Sequence, residues 1–375
     1  MPMAIPQRCS EENLDLLRAR QKKNSLISLM RSLSLNDYLL LGALSLITVS
    51  LLTPIMRYVA RRYGVVDAPS EGHKTHKNPV PYLGGVAIAL GVVIVTYIAS
   101  LTSDFSRETF FLASSVLIPA IIMGVVGLID DLRKLSPWPR FIIQSLFGIA
   151  ISALLVVTNT LGSPFGNNWI DIPITTIFIV GITNSINFFD NIDGGASGAL
   201  AIAAVFLFIL SFQGGQFLIA ALSIVLVGAT LGFLLWNKPP ARIYMGDAGA
   251  LFLGILIASL AIRFDPNPID RIASFSIPLL LLAIPILDTS VAVASRIRRR
   301  ISPFQGGRDH LSHRLMRMGF NKRQSVLILW IGSILFASLA IAISNASYSL
   351  ERLVTIFAGA IWLMLFIGFF RTADN

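Results

Sequence analysis

Cysteine and charge are both scarce in this sequence. Cys9 is the only cysteine, which excludes an intramolecular disulfide and a cysteine-based metal site. Asp, Glu, Lys and Arg make up only 13% of the residues, whereas soluble domains carry about 25%. Apolar residue types reach 54%, and the mean hydropathy is +0.73. This composition indicates a polytopic membrane protein.

Eleven apolar runs are candidates for membrane-spanning helices, each of which needs about 20 mostly apolar residues. The predicted spans are 36–57, 84–102, 111–129, 141–160, 171–187, 198–213, 217–236, 248–263, 273–295, 324–345 and 352–370. The predicted fold class is therefore all-α, a polytopic bundle of about eleven transmembrane helices. Residues 1–35 form a polar N-terminal segment without the apolar core of a signal peptide, and 36–372 form a single integral-membrane domain.

The basic residues gather in the loops on one side of the predicted membrane. The loops 57–83, 130–140, 188–197, 237–247 and 296–323 and the tail after 370 hold 20 of the 30 Lys and Arg residues. The opposite loops hold only Arg107, Arg263, Arg271 and Arg352. The positive-inside rule makes the first set cytoplasmic. The net charge of +10 is therefore explained by topology rather than by nucleic-acid binding.

The N-terminal 35 residues hold the remaining six basic residues, and this topology places them outside, against the rule. Three explanations stay open: the segment lies on a membrane surface, translation starts nearer Met30, or the span count is off by one. The loop asymmetry carries more weight because it sums over many loops.

Five aspartates lie at the ends of apolar runs, and all belong to the cytoplasmic loop set: Asp130, Asp131, Asp190, Asp193 and Asp247. All four histidines belong to the same set: His73, His76, His310 and His313. Ionisable groups near membrane depth mark a functional site by default. We therefore expect one shared site on the cytoplasmic face that handles a cation and a phosphate.

Asp130 and Asp131 are adjacent on a predicted helix end, so their side chains point about 100° apart. One can face a pocket while the other meets a basic partner. The alternative is a solvated loop start that pairs with Arg133 or Lys134. The small and apolar approach over 124–129 favours the pocket.

Two asparagines and two aspartates recur every three residues: Asn184, Asn187, Asp190 and Asp193. On a helix this spacing places them on one face. Gly194 and Gly195 then break the helix and let the backbone approach a ligand. An ordinary helix end with polar caps is the alternative, but the regularity of the spacing favours a site.

The remaining polar motifs suit magnesium and phosphate. Asp247 is either an N-cap of the next helix or an oxygen ligand for Mg²⁺, which takes one or two carboxylates plus water and phosphate. Lys74 and His76 lie in a basic loop that suits phosphate or serves only as a topology anchor. The pair His310 and His313 also suits zinc, but no third ligand of matching type is nearby, so phosphate is favoured.

Together these motifs resemble the polyprenyl-phosphate N-acetylhexosamine-1-phosphate transferases of glycosyltransferase family 4. The resemblance covers about residues 36–345 and rests on five motifs in order. It implies a bundle of ten or eleven spans in the bacterial inner membrane, with a cytoplasmic cleft and a dependence on Mg²⁺ or Mn²⁺. The implied substrates are a UDP-sugar and a polyprenyl phosphate, and the implied reaction opens cell-envelope polysaccharide synthesis. A homodimer is implied by the resemblance alone.

The resemblance also implies roles for individual residues. The implied catalytic residues are Asp130, Asp131 and Asp190, with Asp130 acting on the lipid phosphate and Asp131 assisting the metal or pairing with Lys74. Asp247 and Asn187 are the implied metal residues. Substrate binding falls to Lys74, His76, Asn184, Asp193, Asn237, His310, His313 and Arg314.

Three positions depart from the family pattern: Asn191 stands for Gly, Gly195 for Leu, and Ser312 for the middle histidine of Asp-His-Leu-His-His. That motif belongs to the GlcNAc-1-phosphate branch, whereas the phospho-MurNAc-pentapeptide branch carries three consecutive histidines. We therefore expect GlcNAc-1-phosphate transfer, with phospho-MurNAc-pentapeptide transfer as the alternative. The three departures leave the identity of the transferred sugar undecided, whereas the type of reaction is unaffected.

Two other classes of membrane protein also bury carboxylates. An ion-coupled transporter would place its charges near mid-membrane on broken helices, whereas here they cluster at helix ends on one face. An intramembrane protease is less favoured, because the sequence has neither a His-Glu-x-x-His motif nor the Tyr-Asp and Gly-x-Gly-Asp pair.

Overall fold

The computed structural model describes residues 33–67, 79–102, 106–133, 135–162, 164–266, 270–304 and 306–372. Helices dominate this part of the chain. They are α1 (Leu35–Arg62), α2 (Gly84–Thr102), α3 (Ser106–Arg133), α4 (Pro137–Val157), α5 (Asn168–Phe189), α6 (Gly195–Gln213), α7 (Phe217–Asn237), α8 (Gly246–Arg263), α9 (Arg271–Leu281), α10 (Ala283–Arg298), α11 (Leu311–Arg317), α12 (Lys322–Ser344) and α13 (Tyr348–Arg371). Between α1 and α2, strand β1 (Val66–Asp67) pairs antiparallel with β2 (Val80–Pro81).

Ten of the described helices are long and apolar enough to cross a membrane, and α9 with α10 makes an eleventh span if the pair counts as one. Every run predicted from the sequence overlaps one of these elements. The all-α polytopic fold class is therefore confirmed. The division into an N-terminal segment and a single membrane domain stays a prediction, since residues 1–32 lie outside the described part of the chain.

Within the predicted span 273–295 the chain bends by 80° between α9 and α10, a break that the apolar run did not predict. Pro285 lies just after the break and has no N–H for the carbonyl of Leu281, where a continuous helix would place a hydrogen bond. The hydropathy of the run is unaffected by this loss. The bend could therefore not be read from apolar length alone.

Helix α8 lies at the centre of the bundle. In the most apolar 18-residue stretch of each helix, 83% of the residues of α8 are buried, against 6% for α13. Two glycines let neighbouring helices approach the start of α8: a Cβ at Gly85 would overlap the backbone of Gly249, and one at Gly127 would overlap the backbone of Asp247. These close contacts fix the N-terminus of α8 against α2 and α3.

The same end of the bundle collects the ends of several other helices. Tyr244, just before α8, donates its N–H to the carbonyl of Pro81 in β2, at 2.8 Å, and accepts from Gly84 N at the start of α2, at 3.0 Å. Described residues from two of the loops that the sequence assigned to one face therefore meet at this end of the bundle.

Candidate active site

Asp247 lies in the first turn of α8, and its carboxylate contacts two other helices. One oxygen, Oδ1, accepts a hydrogen bond from Asn187 Nδ2 at the end of α5, at 2.5 Å. The other, Oδ2, pairs with Arg140 Nη1 on α4, at 2.9 Å. The side chain keeps 30% of its surface exposed, so it can still be reached from the polar end.

Asp131 at the end of α3 caps α8. Its Oδ1 accepts from the backbone N of Asp247, at 2.9 Å, and its Oδ2 accepts from Ala248 N, at 3.0 Å. A carboxylate at a helix N-terminus satisfies free N–H groups and complements the helix dipole. The capping role considered for Asp247 therefore belongs to Asp131, which leaves the Asp247 carboxylate free to face the site.

Asp130 holds Arg140 in place. Its Oδ2 lies 2.5 Å from Arg140 Nη1, and its Oδ1 accepts from Leu135 N at 2.7 Å. One guanidinium nitrogen thus bridges Asp130 and Asp247. Both aspartates therefore bond to other parts of the protein rather than pairing with Arg133 in an open loop, and the pocket expected beside them stays a prediction.

Helix α5 brings its polar residues to the same region until it ends at Phe189. Asn184 donates to Gln144 Oε1 on α4, at 2.8 Å. Asp190 is the C-cap, and burial, followed by the charges of Asp247 and Asp131, holds the pKa of its carboxyl well above the usual range. Burial and the neighbouring carboxylates therefore both disfavour the charged form of Asp190.

Asp193 leaves the face predicted for it, because the helix stops before it is reached. Its Oδ2 accepts from Ala241 N at 3.1 Å and lies 4.0 Å from Lys322 Nζ. Asn237 is buried and ties the same loops together, since its Oδ1 accepts from Gly194 N and Ser197 Oγ, both at 3.0 Å. In this structure Asn237 positions the loop after α5 rather than facing open space.

The histidine motif at the start of α11 sits on a buried ion network. Asp309 accepts from Arg296 Nε at 2.8 Å and from Arg299 Nη2 at 2.6 Å. His310 has both ring nitrogens engaged: Nδ1 faces Asp288 Oδ2 at 2.7 Å, and Nε2 faces Arg296 Nη2 at 3.2 Å. The ring of His310 is therefore held by protein on both sides.

His313 and Arg314 differ from the diphosphate-neutralising groups that the resemblance implies. Burial, together with nearby His310, lowers the pKa of His313 to about 4, so the half-buried ring is neutral at pH 7. Arg314 is fully buried and donates to the carbonyls of Phe369, at 2.8 Å, and Thr372, at 2.6 Å. Arg314 thus joins α11 to the end of α13 instead of lining the cleft.

Lys74 and His76 lie outside the described residues, so their predicted role in phosphate binding stays a prediction. Asp288 was missed altogether, although it is fully buried and carries three hydrogen bonds. A signal for it existed, because an acid inside a predicted span is a functional candidate by default. Arg296, counted above only among the basic residues of the loop 296–323, is 2% exposed and belongs to the same network.

The side chains around Asp247 limit which metal ion could bind there. Within the described residues, no three His, Cys, Asp or Glu side chains converge on one point. Asp247, beside the Asn187 amide and close to Asp190, suits Mg²⁺ or Mn²⁺, which completes its shell with water and phosphate oxygens. The set fits an ion that depends on substrate phosphates and does not fit a fully protein-bound zinc.

The fold and this site define a polytopic helical membrane protein with a cluster of carboxylates at one end of the bundle. Residues 113–265 match glycosyl transferase family 4. The probable undecaprenyl-phosphate N-acetylglucosaminyl 1-phosphate transferase of Bacillus subtilis is 36% identical over 330 residues, which cover 87% of this chain and 86% of that protein. The chain belongs to glycosyl transferase family 4.

Two further relatives are named for N-acetylglucosamine and for phospho-N-acetylmuramoyl-pentapeptide, respectively. The decaprenyl-phosphate N-acetylglucosaminephosphotransferase of Mycobacterium tuberculosis is 33% identical, covering 81% of this chain and 82% of that protein. The phospho-N-acetylmuramoyl-pentapeptide-transferase of Caldicellulosiruptor bescii is 29% identical, covering 79% of this chain and 93% of that protein. The predicted family is confirmed, and the alternative branch is not better supported than the GlcNAc branch.

Proposed function

We propose that this enzyme transfers GlcNAc 1-phosphate from UDP-GlcNAc to a polyprenyl phosphate and releases UMP. The observation that carries the proposal is the meeting of carboxylates from three helices at one polar end: Asp130 and Asp131 from α3, Asp190 from α5 and Asp247 from α8. The relatives from B. subtilis and M. tuberculosis are named for N-acetylglucosamine and for a polyprenyl phosphate, which supports the same choice of sugar and acceptor.

The reaction is a phosphoryl transfer in which one P–O bond replaces another. An oxygen of the acceptor phosphate attacks the β-phosphorus of the UDP-sugar, and the bond from that phosphorus to the UMP oxygen breaks. UMP leaves with the electron pair, so no oxidant or reductant is needed. In such chemistry the protein contributes mainly positioning and charge neutralisation. A bound Mg²⁺ would act as a Lewis acid on the diphosphate.

The geometry suggests how this chain's residues share that work. Asp247 would hold the metal: Asn187 orients its carboxylate, and Asp131 accepts a hydrogen bond from its backbone N. Arg140 offers a fixed positive charge for a phosphate oxygen, and Asp130 fixes its position. In this proposal Asp130 acts on the acceptor phosphate through Arg140, which refines the direct role implied by the family resemblance.

The remaining predicted residues surround this centre. Asp190 would adjust the negative charge beside the metal, and Asp193 borders the side of the donor nucleotide. Asn184 acts through Gln144 on α4. Lys74 and His76 are proposed to reach the substrate phosphates from the loop after β1.

We place the site on the cytoplasmic face of the bacterial inner membrane, because 20 of the 30 Lys and Arg residues lie in the loops of that side. The proposed reaction would open the synthesis of a cell-envelope polysaccharide. A homodimer is proposed on the family resemblance alone.

Phospho-MurNAc-pentapeptide transfer is the second candidate, since a relative with that name covers 79% of the chain. The two candidates differ in the donor but share the acceptor and the site. An ion-coupled transporter fits less well, because the carboxylates grouped around Asp247 lie at helix ends rather than in the middle of the spans.

The test uses the full-length protein in detergent with Mg²⁺ and a short polyprenyl phosphate. UMP release is measured with UDP-GlcNAc, UDP-GalNAc and UDP-MurNAc-pentapeptide, and the lipid product is weighed by mass spectrometry. We expect turnover with UDP-GlcNAc and, at the same Mg²⁺ concentration, a large fall in turnover in Asp247→Asn. Asp265→Asn is the matched control, since Asp265 is exposed beyond the far end of α8. UMP release only from the pentapeptide donor would refute the proposed sugar.

A further inference from the structure

One buried carboxylate joins two segments that border the site. Asp288 on α10 has no exposed surface. Its Oδ1 accepts from the backbone N of Leu311, at 2.6 Å, and its Oδ2 faces His310 Nδ1, at 2.7 Å. Asn191 Nδ2, in the loop between α5 and α6, reaches the same Oδ2 at 3.3 Å. A single side chain therefore holds the start of α11 and the loop after α5.

A second bond ties these segments directly to each other. Ser312, fully buried on α11, donates its hydroxyl to Asn191 Oδ1 at 2.5 Å. Asn191 Nδ2 also donates to the carbonyl of Phe188, at 2.8 Å. The amide of Asn191 thus connects the end of α5 with both α10 and α11. Because Asn191 follows Asp190 directly and precedes Asp193 by two residues, its bonds fix the backbone that carries both carboxylates.

The network also fixes the proton on His310. An arginine can only donate, so Arg296 Nη2 makes His310 Nε2 an acceptor and leaves the proton on Nδ1. That proton points to Asp288 Oδ2. The ring of Phe188 packs edge-on against His310, with the ring centroids 6.2 Å apart. In the hydrogen bonds that link His310, Asp288, Asn191 and Ser312, each donor and each acceptor is therefore fixed.

Asn191 and Ser312 are two of the three positions at which the sequence departs from the family pattern. A glycine at 191 has no side chain to bridge Asp288 and Ser312. A histidine at 312 would need the space that the Asn191 amide now occupies beside a fully buried hydroxyl. The two departures are thus physically linked, since each residue supplies the other's hydrogen-bond partner.

We propose that Asn191 and Ser312, anchored by Asp288, form a positioning unit that sets how the loop carrying Asp190 and Asp193 meets the sugar-nucleotide donor. This inference rests on the proposed function. The unit acts through the loop and does not itself touch substrate. Because Asp190 lies beside Asp247, displacement of the loop changes the diphosphate end of the donor site, whereas Asp130 and Arg140, the proposed acceptor side, stay in place on α3 and α4.

The test is a double-mutant cycle in the full-length protein with Asn191→Gly, Ser312→Ala and the double variant. Steady-state kinetics with UDP-GlcNAc and a short polyprenyl phosphate give kcat and both KM values. Residues in direct contact couple by about 0.5–3 kcal/mol, which corresponds to about 2- to 150-fold in kcat/KM. We expect each single change to lower kcat/KM for the donor, the double change to be no worse than the poorer single, and KM for the lipid to stay constant.

Two controls keep the result interpretable. Ser333→Ala removes another buried hydroxyl, one that bonds within its own helix to the carbonyl of Leu329, and we expect wild-type kinetics. Hydrogen–deuterium exchange of the peptide 188–196 measures the protection of the loop independently of turnover. We expect both single changes to raise its exchange rate.

The outcomes separate this inference from the proposed function. If the wild-type protein releases UMP but the two changes lower kcat/KM independently and multiplicatively, only the positioning unit is overturned. Unchanged exchange of the loop in the variants would overturn it as well. If the wild-type protein releases no UMP but the single and double variants show coupled changes in loop exchange, the proposed function is overturned, and the role in donor recognition with it.

Discussion

Replacing Asp131 by asparagine tests whether this residue is a helix cap or a metal ligand. The carboxylate now satisfies two N–H groups at the start of α8, those of Asp247 and Ala248. Asparagine keeps one oxygen for one of them and turns an NH₂ group toward the other. Asparagine is as good a helix cap as aspartate for the N–H it keeps, whereas an unsatisfied buried donor costs about 1–3 kcal/mol. We therefore expect the variant to lose about 1–3 kcal/mol of stability.

The assay combines thermal unfolding in detergent with a Mg²⁺ titration of UMP release. Asp131→Asn should unfold at a lower temperature and turn over more slowly, while the half-saturating Mg²⁺ concentration stays within about threefold, because Asn187 and Arg140 still hold the Asp247 carboxylate. Asp247→Asn should do the reverse, raising the Mg²⁺ requirement without lowering the unfolding temperature. A stable Asp131→Asn protein with a greatly raised Mg²⁺ requirement would refute the capping role.

Three further predictions follow from the geometry. Gly127→Ala should lower the unfolding temperature and the activity together, because its methyl group would overlap the Asp247 backbone, whereas Gly181→Ala, with open space around it, should behave as wild type in both assays. His313→Gln should leave the pH profile of kcat/KM unchanged between pH 6 and 8, because burial lowers the pKa of His313 to about 4. The unfolded chain binds this proton more readily, so the folded protein loses stability only as the pH falls from 6.5 toward 4. An acid limb near pH 6.5 that disappears in this variant would contradict the assignment. Arg140→Gln should lower kcat by about 100-fold or more, the usual effect of losing one electrostatic contact to the reacting group, and Arg140→Lys should recover only part of it in the same UMP-release assay.

Sequence patterns predicted the parts of this structure that depend on local periodicity. The apolar runs predicted all the spans, and the spacing from Asn184 to Asp190 placed these residues on the last turns of α5. The exception at Asp193 has a local cause, since α5 ends at Phe189 and the chain turns before the next repeat. Likewise, the bend before Pro285 accompanies a missing backbone N–H, which hydropathy does not report.

Tertiary partners could not be predicted in this way. Nothing in the sequence near Asp131 shows that its carboxylate caps a helix more than 100 residues away, with Asp247 and Ala248 as donors. Asn237 and Arg314 were expected at the substrate, yet they satisfy main-chain groups inside the protein. A polar residue beside a motif can serve either role, and only the positions of its neighbours decide between them.

Asp288 shows the opposite case, in which a usable signal was present but was not followed. An acid inside a predicted span costs several kcal/mol unless it is paired, so its presence alone called for a partner. The partners came from two loops that are far apart in sequence, at Asn191 and His310.

The uneven burial of the helices has a consequence for the membrane around the protein. Lipid thickness acts on helices through their lipid-facing surfaces, by tilt or by local deformation of the bilayer. α13 exposes almost all of its apolar stretch, whereas α8, which carries Asp247, is enclosed by other helices. A thinner or thicker bilayer is therefore expected to act first on outer helices such as α13 and last on α8, which carries Asp247.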